Sequence, residues 1–274
     1  MTSHASTVTV RHCDFDPGKR RLHRRVKRIT RTPIPFTHVL VTYTKTVSEP
    51  ADPPIRSSLV SVDVLALHFD RIGRRLVLGV AARAWEPFRD ELALPGVLLG
   101  DGERLREAAM RALTGKLGVI PSGVSGIGQV VTFDEPNRDP RGPTLSVAMW
   151  AGVTTRTDTA VWVPLDLLPP LAFDHRRIIE DCRVMLAGSL WRDPVLSRAL
   201  TGERFPTADA VDITASLVGR APDRGNLNRT LRSVPGLHRT EERVAARATG
   251  RPAAVWEWEN QSDPTKEGPQ FNAE

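Results

Sequence analysis

A chain of 274 residues with 40% hydrophobic side chains has the length for two domains and the apolar content for a buried core. Its formal net charge of +6 points to an anionic partner or to a solvated basic surface, and charge alone does not choose between them. The two cysteines, Cys13 and Cys182, match no metal or redox spacing and suit a reducing, cytoplasmic setting. No run of eighteen apolar residues occurs, which excludes a membrane-spanning helix of the usual length.

Residues 1–31 carry nine Lys and Arg against Asp14 and Asp16, without the apolar stretch of a secretory signal. With the Pro- and Ser-rich residues 48–57 they are expected to form a flexible basic arm and linker over 1–57, able to touch nucleic acid non-specifically. From Leu59 the pattern turns globular. Ser61 to Leu67 alternates as a strand, and Arg75 to Val80 is its expected hairpin partner across Asp70-Arg71-Ile72-Gly73. A short buried strand at Leu92 and a Gly-rich turn follow. Next comes a helix in which Leu105, Ala109, Ala112, Leu113 and Leu117 recur at helical spacing, closed by Gly118.

A turn running into a helix directs free backbone N–H groups outward, where phosphate is the usual guest, although an ordinary amphipathic helix gives the same pattern. The residues Leu92 to Val119 resemble a Nudix box. Glu103 takes its first glutamate, Arg111 its arginine, Leu113 its aliphatic position and Gly118-Val119 its end. The departures fall on the chemistry: Val97 stands at the opening glycine, Ala112 at the glutamate after the arginine, and Gly115-Lys116 at the Glu-Glu pair. Nudix enzymes cleave nucleoside diphosphates with Mg²⁺ held by those glutamates, and Mg²⁺ requires anionic oxygen ligands that this box has lost. The resemblance therefore implies a Nudix fold without catalysis, without catalytic residues and without a bound metal.

Thr132 to Gly142 precedes a strand over Leu145–Val153, and Trp162 to Leu165 is expected to close the sheet. Within that loop Arg138 and Arg141 either grip a diphosphate, which guanidinium forks match, or pair internally with aspartates. Leu171 to His175 is expected to open a helix with Asp174 as its N-cap, His175 serving as a cap or packing residue, and Ile178, Ile179, Cys182, Met185 and Leu186 follow at helical spacing. Beyond Pro194 the pattern predicts a short helix over Val195–Leu200, a second starting at Phe205-Pro206-Thr207, and a third over Arg224–Arg232. Two strands, Gly236–His238 and Ala253–Trp258, then flank a basic loop. Three helices and a β-hairpin in that order make a winged helix-turn-helix. Residues 220–251 hold eight arginines against Asp223, Glu241 and Glu242, which favours DNA binding over a module for protein contact.

A degenerate Nudix domain followed by a basic winged helix resembles the Nudix-related transcriptional regulators of NAD metabolism, the NrtR family. The match covers about residues 59–258 and is most specific at the box remnant, Arg138–Gly142, Leu171–His175 and Gly250-Arg251-Pro252. It implies an α+β chain: a Nudix-fold α/β/α sandwich with a mixed sheet over 58–170, a linking or dimerisation helix over 171–192, a winged helix-turn-helix over 193–259, and a disordered tail over 260–274. It also implies a cytoplasmic homodimeric repressor that binds palindromic double-stranded DNA near NAD biosynthesis or salvage genes. No cofactor is expected, and ADP-ribose or a related nucleotide is the expected effector. The expected effector residues are Arg83, Glu103, Arg138 and Arg141; the expected DNA contacts are Arg224, Asn226, Asn228, Arg229 and Arg232, with Arg251 on the wing. The alternative is a working Mg²⁺-dependent ADP-ribose or nucleoside-diphosphate pyrophosphatase, with its metal on Asp101, Glu103 and Glu107 and an accessory winged module.

Overall fold

The computed structural model describes residues 58–245 and 252–259. The arm and linker at 1–57, the wing-loop residues Arg247, Gly250 and Arg251, and the tail from 260 onward lie outside the described residues, so the expectations placed on them are not addressed by the structure.

Strand β1 (Leu59–Asp70) is the spine of a seven-stranded mixed sheet. Its period-2 alternation has two consequences. Leu65, Leu67 and Phe69 enter one buried cluster, whereas Val62, Val64 and Ala66 enter a second cluster on the other face. Strand β2 (Arg75–Ala82) returns antiparallel across the expected turn, Asp70 facing Arg75. Two short strands follow, β3 (Leu92–Ala93) on β2 and β4 (Gly96–Leu98) on the other end of β1. Helix α1 (Leu105–Ala112) then crosses the second cluster through Ala108, Ala109 and Ala112. It does not run unbroken to its glycine: Leu113–Leu117 winds as a π-helical turn, which ends at Gly118 with φ +69°. That left-handed cap is the conformation glycine adopts most cheaply.

Strand β5 (Val124–Phe133) pairs antiparallel with β6 (Thr144–Val153), and β6 runs parallel to β1 from Leu59 opposite Thr144 to Leu67 opposite Gly152. Strand β7 (Val161–Pro164) closes the far side of β2. Helix α2 (His175–Ser189) covers the first face with Ile178, Ile179, Cys182 and Leu186, and burial pushes the Cys182 thiol up to about 12.

The C-terminal part begins with α3 (Pro194–Thr201), where Asp193 accepts from the amides of Val195 and Leu196 and Pro194 sits at the first helical position. The expected helix start at Phe205-Pro206 is corrected: Arg204–Pro206 is a strand, β8, and α4 runs from Thr207 to Val218. The Phe205 side chain is buried against Trp191, and Arg204, Phe205 and Pro206 pair with Glu257, Trp256 and Val255 of the last strand, which holds them extended up to Thr207. Helix α5 (Arg224–Ser233), capped by Asp223, precedes β9 (Leu237–Val244) and β10 (Ala253–Trp258), and the wing sheet orders as β8-β10-β9. The cluster containing Leu65 and Leu67 continues into Leu196, Ile213, Leu227, Leu231 and Trp256, so the mixed sheet and the winged helix share one hydrophobic core.

Candidate functional site

A cleft of about 180 Å³ opens where β1, β2, β4 and the β5–β6 loop meet the N-terminus of α2. Its floor is Asp63, a charged residue set between Val62 and Val64 on β1 and buried. Ser61 and Ser146 donate hydroxyl hydrogens to Asp63 Oδ2 at 3.0 and 2.5 Å. His175 Nε2 and Arg138 Nη2 stand 3.8 and 4.0 Å from the same carboxylate. Gly96 fits above it because a Cβ there would lie 2.1 Å from Asp63 Oδ1.

His175 is not a helix cap. Its Nδ1 accepts the backbone N–H of Leu94 at 3.0 Å, which fixes the neutral tautomer with the proton on Nε2, toward Asp63. Burial lowers its pKa, against the pull of Asp63 and Asp174, and keeps the ring neutral near pH 7. Asp174 also departs from expectation: at the N-cap position its carboxylate makes no capping bond, because Arg138 takes both oxygens, at 2.8 and 3.2 Å. A bidentate ionic pair outcompetes a single N–H donor.

The arginines divide into two kinds. Arg138 is committed to Asp174 and its side chain is only 5% exposed, so the internal-pairing alternative describes it. Arg141 is bidentate to Asp139 but remains near the surface; donating to the Asp139 carboxylate raises its pKa. Arg83 has no carboxylate partner among the described residues; it donates to the Pro87 carbonyl at 2.8 Å and lies 4.5 Å over the Phe173 ring. Burial and the nearby Arg141 lower its pKa. Phe173, with Arg141 also over its ring at 5.7 Å and Phe88 edge-on at 4.7 Å, holds a left-handed backbone at φ +54°. A strained aromatic residue at a cleft is characteristic of a site whose surroundings hold it in place.

Glu103, expected among the effector residues, does not line this cleft. Arg111 donates to both its oxygens at 2.8 and 2.7 Å and the Gly100 amide adds a third bond, which together hold its carboxyl at about 2. Those bonds fold the turn before α1. Glu107 Oε2 accepts the Arg104 amide at 3.0 Å, closing the first turn of α1. Ala112 is fully buried, Gly115 is exposed, and Lys116 reaches the cleft wall. Among the described residues no three His, Cys, Asp or Glu side chains converge as a metal site. The remaining members missed by sequence pattern are Asp63, Phe173, His175 and Lys116; a lone aspartate in the apolar run Val62-Asp63-Val64 is the one signal that marks the floor.

On the winged helix, Leu227 and Leu231 bury one stripe of α5, which leaves Arg224, Asn226, Arg229 and Arg232 exposed and Asn228 half-buried. Asn226 Oδ1 accepts from Arg229 Nη1 at 3.1 Å, and Asn228 donates to the Arg224 carbonyl at 2.8 Å. The structure thus brings five of the six expected DNA contacts onto one helix, and the sixth, Arg251, lies outside the described residues.

This arrangement defines the class: a Nudix fold joined to a C-terminal winged helix. No protein-family profile matches the chain. Among solved structures it is similar to Shewanella oneidensis NrtR, at 25% identity and TM-score 0.59 over 74% of this chain and 94% of that one. It matches the same protein complexed with a 27mer DNA at 25% identity and TM-score 0.59, over 73% and 93% of the two chains. A MutT/nudix family protein from Enterococcus faecalis, at 21% identity and TM-score 0.57 over 75% of this chain and 89% of that one, shares the fold. In architecture the chain is NrtR-like. Among curated proteins, 102 residues are 35% identical to an ADP-ribose pyrophosphatase from Methanocaldococcus jannaschii, covering 35% of this chain and 59% of that protein's length.

Proposed function

We propose that the chain is a DNA-binding transcriptional repressor of NAD biosynthesis or salvage genes, in which a Nudix domain senses ADP-ribose or a related nucleoside diphosphate instead of hydrolysing it. The observation that carries this reading is the exposed row of Arg224, Asn226, Arg229 and Arg232 on α5, above its buried leucines, in a chain similar over most of its length to a protein crystallised with DNA. Arginine and asparagine on such a helix reach both phosphates and purine edges. In the sensor, Arg83, Arg141 and Phe173 present cationic and aromatic surface suited to a nucleotide diphosphate. A homodimer on a palindromic operator follows the usual logic of a winged helix that reads half-sites.

The test is a gel-shift titration on DNA upstream of NAD biosynthesis genes, with and without ADP-ribose at fixed salt. A sharp shift that resists competitor DNA and is lost with ADP-ribose is the expected result. The absence of a specific shift refutes the regulator reading.

The second reading is an ADP-ribose or nucleoside-diphosphate pyrophosphatase, favoured by the curated relative's name. Against it stand the engagement of Glu103 by Arg111 and the residues Gly115 and Lys116 at the Glu-Glu positions. Mg²⁺-dependent turnover of ADP-ribose above background decides for that reading.

A further inference from the structure

A Nudix fold implies a divalent cation, and the residues present do not fit one. Of the box positions that supply its ligands, Ala112 is buried among Ala108, Ala109 and Leu113 of the second core cluster, Gly115 has no side chain, and position 116 is a lysine. Glu103 keeps both its oxygens on Arg111. A hard cation would meet an ammonium group where it needs carboxylate oxygen.

What stands there instead is placed to act. The cleft is bordered by four side-chain cations, and two are neutralised within the fold: Arg138 by Asp174 and Arg141 by Asp139. Arg83 and Lys116 are the cleft cations without a carboxylate partner among the described residues. Arg83 enters from the end of β2; Lys116 enters from the π-helical turn after α1, beside β4. An ammonium is a compact point charge with three donors, well suited to phosphate oxygens.

We propose that Lys116 replaces the divalent cation of this cleft, supplying the charge that lets a nucleoside diphosphate bind without metal. The inference rests on the reading of the cleft as a nucleoside-diphosphate site. It gives one role to two features of the box, the missing carboxylates and the lysine: a cleft that recognises the diphosphate without the metal that hydrolysis needs.

The experiment is calorimetric titration of the full chain with ADP-ribose, in EDTA and in Mg²⁺. The wild type is expected to bind equally in both. Lys116→Met is expected to weaken binding at least tenfold in both, with unchanged urea denaturation because the position is exposed. The pair Gly115→Glu/Lys116→Glu, whose first site has open space for a side chain, is expected to lose binding in EDTA and regain it with Mg²⁺. Binding by Lys116→Met equal to wild type, or a wild type that requires Mg²⁺, overturns the inference and leaves the cleft reading intact. Wild-type binding that is absent, or that survives Arg83→Ala and Phe173→Ala undiminished, overturns the cleft reading itself.

Discussion

Gly96→Ala tests whether the cleft floor is as rigid as its contacts require. The added Cβ would stand 2.1 Å from Asp63 Oδ1. An ordinary C···O contact is about 3.3 Å, so roughly 1 Å must open between β4 and β1. Asp63 has little freedom to retreat: both serine hydroxyls hold Oδ2, and His175 and Arg138 stand 3.8 and 4.0 Å from its carboxylate. Overpacking at such a site costs about 1–3 kcal/mol. If the carboxylate is pushed off one serine, about 1–3 kcal/mol more is lost with the unsatisfied group. A total near 3 kcal/mol lowers the urea midpoint by about 1–2 M for a slope of roughly 2 kcal/mol/M. The diagnostic is the cycle with Asp63→Ala, which removes the atom the new methyl strikes. The double variant is expected to be more stable than the sum of the singles by at least about 1 kcal/mol. Additivity within about 0.5 kcal/mol would refute the claim that Asp63 is what Gly96 accommodates.

Arg138→Met strands Asp174 at the edge of the core and is expected to cost about 3–5 kcal/mol in urea denaturation, with Asp174→Asn restoring part of it. Arg229→Ala is expected to weaken operator binding by about 1–3 kcal/mol and relax preference at one base pair; equal loss on every DNA sequence would make Arg229 a phosphate contact. Asp209→Asn is expected to leave the fold as stable or slightly more stable at pH 7. Burial raises the Asp209 pKa above 3.8 despite Arg71, so its stabilising contribution is full below 3.8 and lost as pH rises through the folded value. Melting temperatures from pH 7 to pH 4 should therefore show the wild type gaining on the variant as pH falls; a constant gap would contradict this.

The fold was legible in the sequence wherever one face of an element is apolar and the other is not. Helix α1, with Ala108, Ala109 and Ala112 on its buried face, and α5, with Leu227 and Leu231 on its own, carry that contrast, whereas both faces of β1 are buried and its alternation and the turn to β2 gave it away. Strand β8 was not, because three residues containing Phe205 and Pro206 look like a helix lead-in until the β10 pairing of Phe205 with Trp256 is known. The partners of the cleft residues were hidden for a similar reason. The family resemblance points to Arg83, Arg138 and Arg141, but it cannot show that Asp174 and Asp139 already hold two of them. Nor can it show that Glu103 serves its own turn. Partners 36 residues apart in the chain, such as Arg138 and Asp174, leave no local pattern.

The packing of α4 bears directly on how a ligand in the cleft would reach DNA. Arg71 donates to Asp209 at 3.1 Å and to the Thr201 carbonyl at 2.8 Å, and Arg74 pairs with Asp212. The Leu76 amide donates to Ser216 Oγ at 3.0 Å. From the other side, α2 grips the end of α4 through Arg183 Nε and the Leu217 carbonyl at 2.9 Å, and the Trp191 indole donates to Thr214 at 3.0 Å. Helix α4 is thus fastened to the β1–β2 hairpin and to α2, and only a short turn separates it from α5. The same α2 begins at Asp174 and His175, the residues that hold Arg138 and Leu94 at the cleft. Interfaces packed this closely shift as units rather than bend. Under the proposed regulator reading, a ligand that displaces Arg138 or Phe173 would act on the root of α2, and a small rotation there would carry α4 and α5 together. In the proposed homodimer the two α5 helices would have to sit about one DNA turn, roughly 34 Å, apart to read paired half-sites, so a modest rotation of each would spoil the spacing.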